Sequence, residues 1–255
     1  MPEELPIIFR DEYLVAINKP SGLLVHRSEI DRHETRFALQ LVRNQIGQTV
    51  YPVHRLDKPT SGVLVFALSP DVAKKMGELF FQHEVEKTYL ALVRGYAPSE
   101  ILVEHPLKEE LDKYTDKKAH TDKPAQEAVT YIKTIAQIEF PFSTDKYPCT
   151  RYSLVECKPK TGRKHQIRRH LKHISHPIIG DAKHGKGAHN RFFQEQFQCG
   201  GLMLAATELK FNHPVTETPV KLVAPLEEKF SRILHNFNWN NAVPSSWLEP
   251  FYETR

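Results

Sequence analysis

Short apolar runs separated by polar turn residues recur along the chain. Each run is four to ten residues long and rich in branched aliphatic and aromatic side chains, which is typical of β-strands. The run over residues 63–68, VLVFAL, is apolar throughout and predicts a buried strand. On this pattern we predict strands over residues 6–9, 13–18, 63–68, 88–93, 129–138, 152–157, 202–211 and 220–223.

Segments with apolar residues at helical spacing lie between these strands. The predicted helices cover residues 34–46, a segment that starts after Ser69, residues 161–174, and residues 226–234. Ser69-Pro70-Asp71 has the order of an N-cap, a first helical proline and an acidic first turn. Thr161 is the predicted N-cap of the third helix. Because both helices and hairpins connect the strands, the predicted fold class is α+β with a mixed sheet.

Two segments lack any such pattern. Residues 108–127, KEELDKYTDKKAHTDKPAQE, are polar and nearly free of aliphatic side chains, which predicts a long loop or a solvent-exposed hairpin arm. The tail after Trp239 is predicted to be irregular. The sequence shows no repeat and no low-complexity linker, so we predict one domain over residues 1–255, with its irregular tail at 239–255.

Composition narrows the class of protein. Of the 255 residues, 40% are hydrophobic, which is enough for a substantial core. No run of eighteen apolar residues occurs, and the N-terminal MPEELPIIFRDEYL has acidic residues where a signal peptide needs basic ones. We therefore expect a cytoplasmic protein. The three cysteines include no Cys-x-x-Cys motif, which argues against a disulfide framework and a thiolate zinc site.

The positive charge is concentrated in one part of the chain. Residues 151–191 contain eleven Lys and Arg but only two acidic residues, Glu156 and Asp181, a balance of nine positive charges. Since the whole chain carries +4, the remainder has a balance of −5. This asymmetry predicts a polyanion-binding face on an otherwise acidic protein, and a solvated basic helix is the alternative.

Two motifs bring acidic and basic side chains into short segments. HRLDKPTSG, residues 54–62, contains Asp57, which is either a turn residue or an ionised nucleophile that needs a nearby cation. TGRKHQIRRH, residues 161–170, places four cations at a predicted helix start, where phosphates bind well. Arg168 follows the apolar Ile167 and is predicted at the buried edge of that helix. Lys164 and Arg169 are predicted to point outward, towards a phosphate backbone.

A third motif is EKTYLALVRG, residues 86–95. Tyr89 stands at the start of its predicted strand and is either a core tyrosine with a bonded hydroxyl or part of a site. Together with KPSGLLVH, residues 19–26, the three motifs occur in an order that resembles the RluA family of pseudouridine synthases. The resemblance extends over about residues 7–225, and the HRLD-x-x-TSG and GR-x-HQIR-x-H motifs are highly specific in combination.

The resemblance implies a fold and a set of roles. The implied fold is the pseudouridine synthase fold, a mixed and largely antiparallel sheet flanked by helices and loops around a central basic cleft. Asp57 matches the catalytic aspartate, Tyr89 the tyrosine that stacks on the base and is a candidate proton acceptor, and Arg168 the basic partner of the aspartate. Arg55 matches an arginine that fills the space left by the extracted uridine. The predicted RNA-binding residues are His54, Arg55, Lys164, His165, Ile167, Arg169 and Lys172.

The resemblance also implies a substrate and partners. HRSEIDRHE, EELDKYTDK and SHPIIGDAKHG resemble a branch of the family that modifies the uridine at position 65, in the acceptor stem of tRNA. No cofactor and no metal are expected, because pseudouridine is an isomer of uridine. The first predicted strand begins within ten residues of the start, so no N-terminal S4 domain is expected. We expect a monomer whose partner is RNA.

Three alternatives stay open at this stage. The substrate could be ribosomal RNA rather than tRNA. The chain could be a non-catalytic RNA-binding module, although such a module would be expected to lose Asp57, Tyr89 or Arg168. It could also be a zinc hydrolase using the cluster of His165, His170, His173 and His176, although H-E-x-x-H is missing. The sequence does not distinguish attack of Asp57 on C1′ from a glycal route that starts at C2′.

Overall fold

The computed structural model describes residues 4–27, 33–109 and 124–248. These residues form a ten-stranded sheet. Its strands are β1 (Ile7–Arg10), β2 (Leu14–Lys19), β3 (Tyr51–Pro52), β4 (Ser61–Ala67), β5 (Glu86–Arg94), β6 (Glu100–Glu104), β7 (Val129–Phe140), β8 (Thr150–Pro159), β9 (Leu204–Asn212) and β10 (Pro219–Val223). Their order is β1-β2-β4-β9-β5-β8-β7-β6, with β3 paired to β4 and β10 to β9. Among these strands only β4 and β9 pair in parallel, which confirms the predicted mixed, largely antiparallel sheet.

The central strand β4 explains why VLVFAL is continuously apolar. All seven of its residues are buried, and its two faces belong to different parts of the core. Leu64 and Phe66 pack with residues of β2 and α1, whereas Val63 and Val65 pack against the helix that follows β4. The strand is therefore covered on both sides, and the loop before it is held against a rigid base.

Five α-helices cover the faces of the sheet in the described residues. They are α1 (Ala38–Ile46), α2 (Pro70–Phe81), α3 (Gln166–His173), α4 (Gly187–Phe197) and α5 (Glu228–Asn236). The predicted start of α2 is confirmed, because Ser69 Oγ accepts a hydrogen bond from the N–H of Val72 at 3.3 Å. The α+β class is confirmed as well.

Two predicted helix starts were wrong. Helix α1 begins at Ala38 rather than residue 34, because Phe37 forms a bridge with Leu24 and leaves the preceding residues extended. Helix α3 begins at Gln166 rather than after Thr161. Its N-cap is His165, and Thr161 instead donates to the side chain of Gln166 and accepts the N–H of Val129. Residues 161–165 are thereby pulled out of the helix into a loop.

The sequence pattern missed β3, β6 and α4. Helix α4 contains few aliphatic residues and buries only His189 and Phe193, so its sequence has little helical periodicity. The three cysteines are free, as expected, with Cys157 and Cys199 buried. Over the described ranges, no helix is both long enough and apolar enough to cross a membrane.

The polar arm and the tail are described only in part. Residues 110–123 of the predicted arm and residues 249–255 of the tail lie outside the described residues. The ends of the arm are paired, because Leu107 and Gln126 exchange two backbone hydrogen bonds. The tail is more ordered than predicted up to residue 248. It forms two 3₁₀ turns, and the buried Trp247 donates its indole N–H to Glu208 at 3.1 Å.

Candidate active site

A cleft of about 460 Å³ opens between the loop before β4 and the loop before α3. Its walls also include the end of α2 and the start of β5. The charged side chains that line it are Arg55, Asp57, Lys87, Arg163, Lys164 and Arg168. Among the described lining residues, Asp57 is the single carboxylate. The cleft therefore places one potential nucleophile in a cationic environment, which is the central basic cleft expected from the sequence.

Asp57 shapes a turn with its backbone and leaves its side chain available. The N–H of Thr60 donates to the backbone carbonyl of Asp57 at 3.0 Å, which closes the turn before β4. The carboxylate Oδ2 accepts from Arg168 at 3.0 Å. Oδ1 makes no hydrogen bond to any residue within the described ranges, and the side chain is 27% exposed. One oxygen is thus fixed and the other is available to a ligand in the cleft.

Arg168 is held by two carboxylates. Its Nε and Nη2 donate to Asp181 at 2.7 and 2.9 Å, while Nη1 donates to Asp57. Burial lowers the pKa of Arg168, but its hydrogen bonds and charge pairing with Asp181 and Asp57 outweigh burial and leave that pKa raised. The guanidinium therefore stays charged and fixed, which keeps a positive charge against Asp57.

The segment after α3 supplies residues that the sequence analysis did not assign to the site. Asp181 Oδ1 accepts the N–H groups of Lys183 and His184, both at 2.9 Å. His184 Nε2 lies 3.2 Å from His165 Nδ1, and His165 Nε2 lies 3.8 Å from Asp57 Oδ2. Asp181 is one of only two acids in the basic segment 151–191, and this was the available sign of its role.

Tyr89 lies on β5 at a register shift between Thr88 and Tyr89 in the pairing with β9. Such bulges often redirect a side chain at an active site. Tyr89, Ile167 and Leu204 form an apolar part of the cleft lining. Burial, and secondarily the charge of Asp57, raises the pKa of the Tyr89 phenol. The hydroxyl is therefore neutral near neutral pH and the ring is a wall of the cleft.

His54 and Phe80 form a stacked pair in the cleft wall. Their ring centroids are 5.0 Å apart, and His54 Nε2 accepts the N–H of Val65 at 3.0 Å. Burial, and secondarily the charge of Lys87, lowers the pKa of His54 to about 3. This histidine is thus a neutral acceptor that ties the motif to β4.

Phe81, at the C-terminal end of α2, also lines the cleft and is 84% exposed. The sequence analysis did not single it out. It follows directly after Phe80, and the exposed ring is the feature that draws attention to it.

Lys19 connects the KPSG turn to the Asp57 loop. It is fully buried, and its Nζ donates to the carbonyls of Leu23 at 2.9 Å and Lys58 at 3.2 Å. Burial lowers the pKa of Lys19 to about 7, although the charges of Glu227 and Asp57 act in the opposite direction. This contact anchors the residue that follows Asp57.

The structure brings together most of the predicted site residues. The cleft is lined by His54, Arg55, Asp57, Tyr89, Lys164, His165, Ile167 and Arg168. Two predicted RNA-binding residues lie elsewhere. Arg169 donates to the backbone carbonyl of Lys108 at 2.9 Å, and Lys172 lines a separate cavity.

Comparison with known proteins identifies the family. Residues 13–173 match the family of RNA pseudouridylate synthases. This segment is more than half of the chain and includes Asp57, Tyr89 and Arg168. The chain belongs to the RNA pseudouridylate synthase family. It is therefore an isomerase of the pseudouridine synthase class, and the predicted resemblance is confirmed.

Individual relatives extend this similarity over nearly the whole chain. A protein named tRNA pseudouridine synthase C from Vibrio cholerae is 54% identical over 94% of this chain and 98% of its own length. The protein of the same name from Vibrio parahaemolyticus is 52% identical over 95% and 98%. The solved structure of human RNA pseudouridylate synthase domain containing 4 is 28% identical, with a TM-score of 0.69 over 91% and 93% of the two chains.

In this pseudouridine synthase three of the four clustered histidines contact different groups, and the fourth, His173, stacks on His105. His170 contacts Thr130 Oγ1 and the carbonyl of His105, and His176 contacts the carbonyl of Arg94. His165 faces Asp57 and His184. Within the described ranges no three His, Cys, Asp or Glu side chains are arranged to hold a metal ion.

Proposed function

We propose that this protein converts uridine to pseudouridine in tRNA, with Asp57 as the catalytic carboxylate. The observation that carries the proposal is the state of Asp57 in the cleft. Arg168 fixes Oδ2, no described residue binds Oδ1, and all other charged lining residues are cations. A carboxylate held in this way is charged, aimed and accessible, which are the requirements for nucleophilic or base catalysis.

The reaction needs only groups that the chain supplies. The N1–C1′ bond breaks, the uracil turns over, and C5 joins C1′. C5 then loses its proton to solvent, and N1 gains a proton. Substrate and product are isomers, so no oxidant and no energy source enter the balance. The free oxygen of Asp57 serves either route. It adds to C1′ as N1 leaves and is displaced when C5 attacks C1′, or it removes the C2′ proton to form a glycal and returns that proton to C2′ when C5 joins C1′.

Tyr89 acts as a wall and hydrogen-bond partner in this proposal. Its raised pKa disfavours a phenolate, so the hydroxyl stays protonated while the ring holds the detached uracil by stacking. Ile167 and Leu204 line the same cleft and exclude water from the base. This arrangement keeps a uracil anion in place while it turns over.

A stacked uridine must leave its helix before C1′ can be reached, at a cost of a few kcal/mol. Arg55 is exposed at the cleft and forms no ion pair with a described carboxylate, so it is available to occupy the vacated stack. The exposed ring of Phe81 provides a platform for a neighbouring base. His54 positions this wall rather than contacting RNA by charge.

The substrate class rests on the relatives and on motifs. The relatives at 54% and 52% identity are named for activity on tRNA, and the motifs of the same branch support the uridine at position 65, in a tRNA stem. The cleft is formed within one chain, which supports action as a monomer. A tRNA substrate also supports a cytoplasmic location. Ribosomal RNA is the alternative substrate.

Tritium release from [5-³H]uridine-labelled RNA tests this function. Wild type, Asp57→Asn and the control Asp71→Asn would each be offered bulk tRNA and ribosomal RNA separately. Asp71 is an exposed aspartate in the first turn of α2. We expect release from tRNA by wild type and Asp71→Asn, and none by Asp57→Asn, with tRNA binding retained.

Release from ribosomal RNA alone would overturn the proposal that tRNA is the substrate. Substantial turnover by Asp57→Asn would overturn the role of the carboxylate. Mapping the pseudouridine in the tRNA product would then test position 65.

A further inference from the structure

A second cavity lies beside the active-site cleft and has a strongly basic lining. Its volume is about 310 Å³, and four of its lining residues are Arg94, Lys146, Lys172 and Lys186. No carboxylate lines it among the described residues. We call this cavity the Lys172 pocket. Its composition selects for an anion, and the reaction in the cleft does not use it.

Three cations of the Lys172 pocket have no acidic partner among the residues that the structure describes. Across the described ranges, Arg94, Lys172 and Lys186 form no ion pair with a carboxylate. Elsewhere basic side chains are commonly paired, as Lys221 is with Glu208 at 2.9 Å. The acidic Asp145 adjoins Lys146 in sequence but does not line the pocket. Three like charges gathered without a counter-ion repel one another and are stabilised by a bound anion.

The C-terminal end of helix α3 lies at the pocket. Ser175 follows α3 in the left-handed region, with φ of 67°, at a position where glycine is the usual residue. Its N–H donates to Lys172, and that of His176 to Leu171, which completes the helix end. Ser175 is itself one of the residues that line the pocket.

The pocket and the cleft are joined through two histidines. His184 lines the Lys172 pocket and lies 3.2 Å from His165, which lines the cleft beside Asp57. The backbone of His184 is also bonded to Asp181, the partner of Arg168. The lining of the pocket and the lining of the cleft are therefore adjacent.

We propose that the Lys172 pocket binds the phosphodiester backbone of the same RNA whose uridine occupies the cleft, a second contact that rests on the proposed function. Arg94 can bind a phosphate through two N–H groups, and the lysines act as point charges. The pocket explains why Lys172, basic but turned away from the cleft, belongs to the RNA-binding surface. It grips the RNA at a distance from the reacting base and adds affinity.

A charge-neutralised double variant tests the pocket. Lys172→Gln/Lys186→Gln would be compared with Lys74→Gln/Lys75→Gln, which removes two exposed lysines of α2 that line neither cavity. Both changes would be made in the Asp57→Asn protein so that bound tRNA is not converted. Lys186 makes no side-chain cap bond to α4, so thermal unfolding should be unchanged.

We expect the pocket variant to raise Kd for tRNA about tenfold at physiological salt, and to reduce the slope of log Kd against log salt by about 1.5–2. The control should match its parent on both measures. Equal Kd and slope for the two double variants would overturn the proposal.

Lysine acetylation distinguishes RNA from a free anion. We expect tRNA to protect Lys172 and Lys186 from acetylation, and inorganic phosphate at millimolar concentration to leave both reactive. Protection by phosphate with unchanged tRNA affinity would make the pocket a free-anion site and overturn the RNA assignment.

These binding measurements do not depend on turnover. Pocket-dependent binding without tritium release by wild type would refute the proposed function and keep the pocket. Release by wild type with pocket-independent binding would refute the pocket alone.

Discussion

At the scale of single residues, the site is organised by one arginine that two aspartates share. Arg168 donates two hydrogen bonds to the fully buried Asp181 and one to the partly exposed Asp57. A buried ion pair contributes little net stability, because desolvation offsets the attraction. The function of the arrangement is positional. Asp181 fixes the guanidinium, and the guanidinium then fixes one oxygen of Asp57.

Asp181→Asn tests that arrangement through stability. Removing one partner of a buried pair costs about 3–5 kcal/mol in the free energy of unfolding near neutral pH. Burial raises the pKa of Asp181, but Arg168 and two backbone N–H groups outweigh it and leave that pKa lowered. The stabilisation is therefore present above the unfolded pKa of about 3.9 and is lost as pH falls through the lower folded value.

Urea denaturation of wild type and Asp181→Asn from pH 7 to pH 2 measures this difference. We expect a constant gap down to about pH 5 and a narrowing gap below about pH 4. Asp71→Asn, which alters an exposed aspartate, should show neither effect. A gap that keeps its full size to pH 2 would contradict the assigned direction of the pKa shift.

Phe81 can be tested separately from stability because it is 84% exposed. Phe81→Ala should change the free energy of unfolding by less than about 0.5 kcal/mol. Loss of one base-stacking contact should weaken tRNA binding by about 1–3 kcal/mol. Fluorescence anisotropy with labelled tRNA would measure Kd, and Phe81→Tyr should retain wild-type affinity. An unchanged Kd for Phe81→Ala would remove this residue from the RNA-binding surface.

At the scale of elements, the junction between β4 and β9 holds the loop that carries Asp57. This parallel pairing is short, with Ser61 opposite Ala205 and Gly62 opposite Ala206. Gly62 has φ of 114°, and a Cβ there would lie 2.0 Å from the carbonyl oxygen of Ala206. Gly62, which ends the motif HRLDKPTSG, is thus required because the backbone of Ala206 leaves no room for a side chain. The same motif contains Asp57, the proposed catalytic carboxylate, and the close backbone approach that anchors its loop.

Gly62→Ala should therefore destabilise the protein by more than about 2 kcal/mol, through both backbone strain and overpacking. The matched control is Gly77→Ala in α2, where nothing lies within 4 Å of the added Cβ. That change should stabilise the protein by about 0.5–1 kcal/mol. Chemical denaturation of both variants would measure the contrast. A Gly62→Ala protein as stable as wild type would contradict this, because the junction of β4 and β9 would then accommodate a Cβ.

The elements also show what the sequence could predict. Helix α2 and strand β4 have local signals, a Ser-Pro-Asp start and a continuous apolar run, and both form where expected. Helix α3 begins later than predicted because the side chain of Gln166 bonds both Thr161 and the carbonyl of Val129 in β7, and Val129 is distant in sequence. Helix α4 had no apolar periodicity to detect. Local patterns therefore predicted elements, and long-range hydrogen bonds set their ends.

The site followed the same division. Asp57, Tyr89 and Arg168 stand in compact motifs, and the fold brings them to one cleft. Asp181 was missed as a site residue because its partner Arg168 is thirteen positions away and no motif links them. Lys172 was predicted to bind RNA, and the sequence could not tell whether it lines the cleft or the second cavity.

At the scale of the whole molecule, positive charge is concentrated in one segment of the chain. Residues 151–191 carry nine net positive charges, and the remaining chain has a negative balance. Five of the eleven cations of this segment line the two cavities. Arg163, Lys164 and Arg168 line the cleft, and Lys172 and Lys186 line the Lys172 pocket. Cationic cavities of this kind attract a polyanion, which is consistent with the proposed binding of RNA at the cleft and the pocket.

This concentration of positive charge predicts a steep salt dependence of tRNA binding. Each neutralised phosphate contributes about −0.9 to the slope of log affinity against log salt for a duplex. With cations from both cavities engaged, we expect a slope of about −3 or steeper between 50 and 200 mM salt. Asp57→Asn removes no cation, so it should bind tRNA with the same slope while forming no product. A flat binding curve over this range would show that neither basic cavity contacts the RNA backbone.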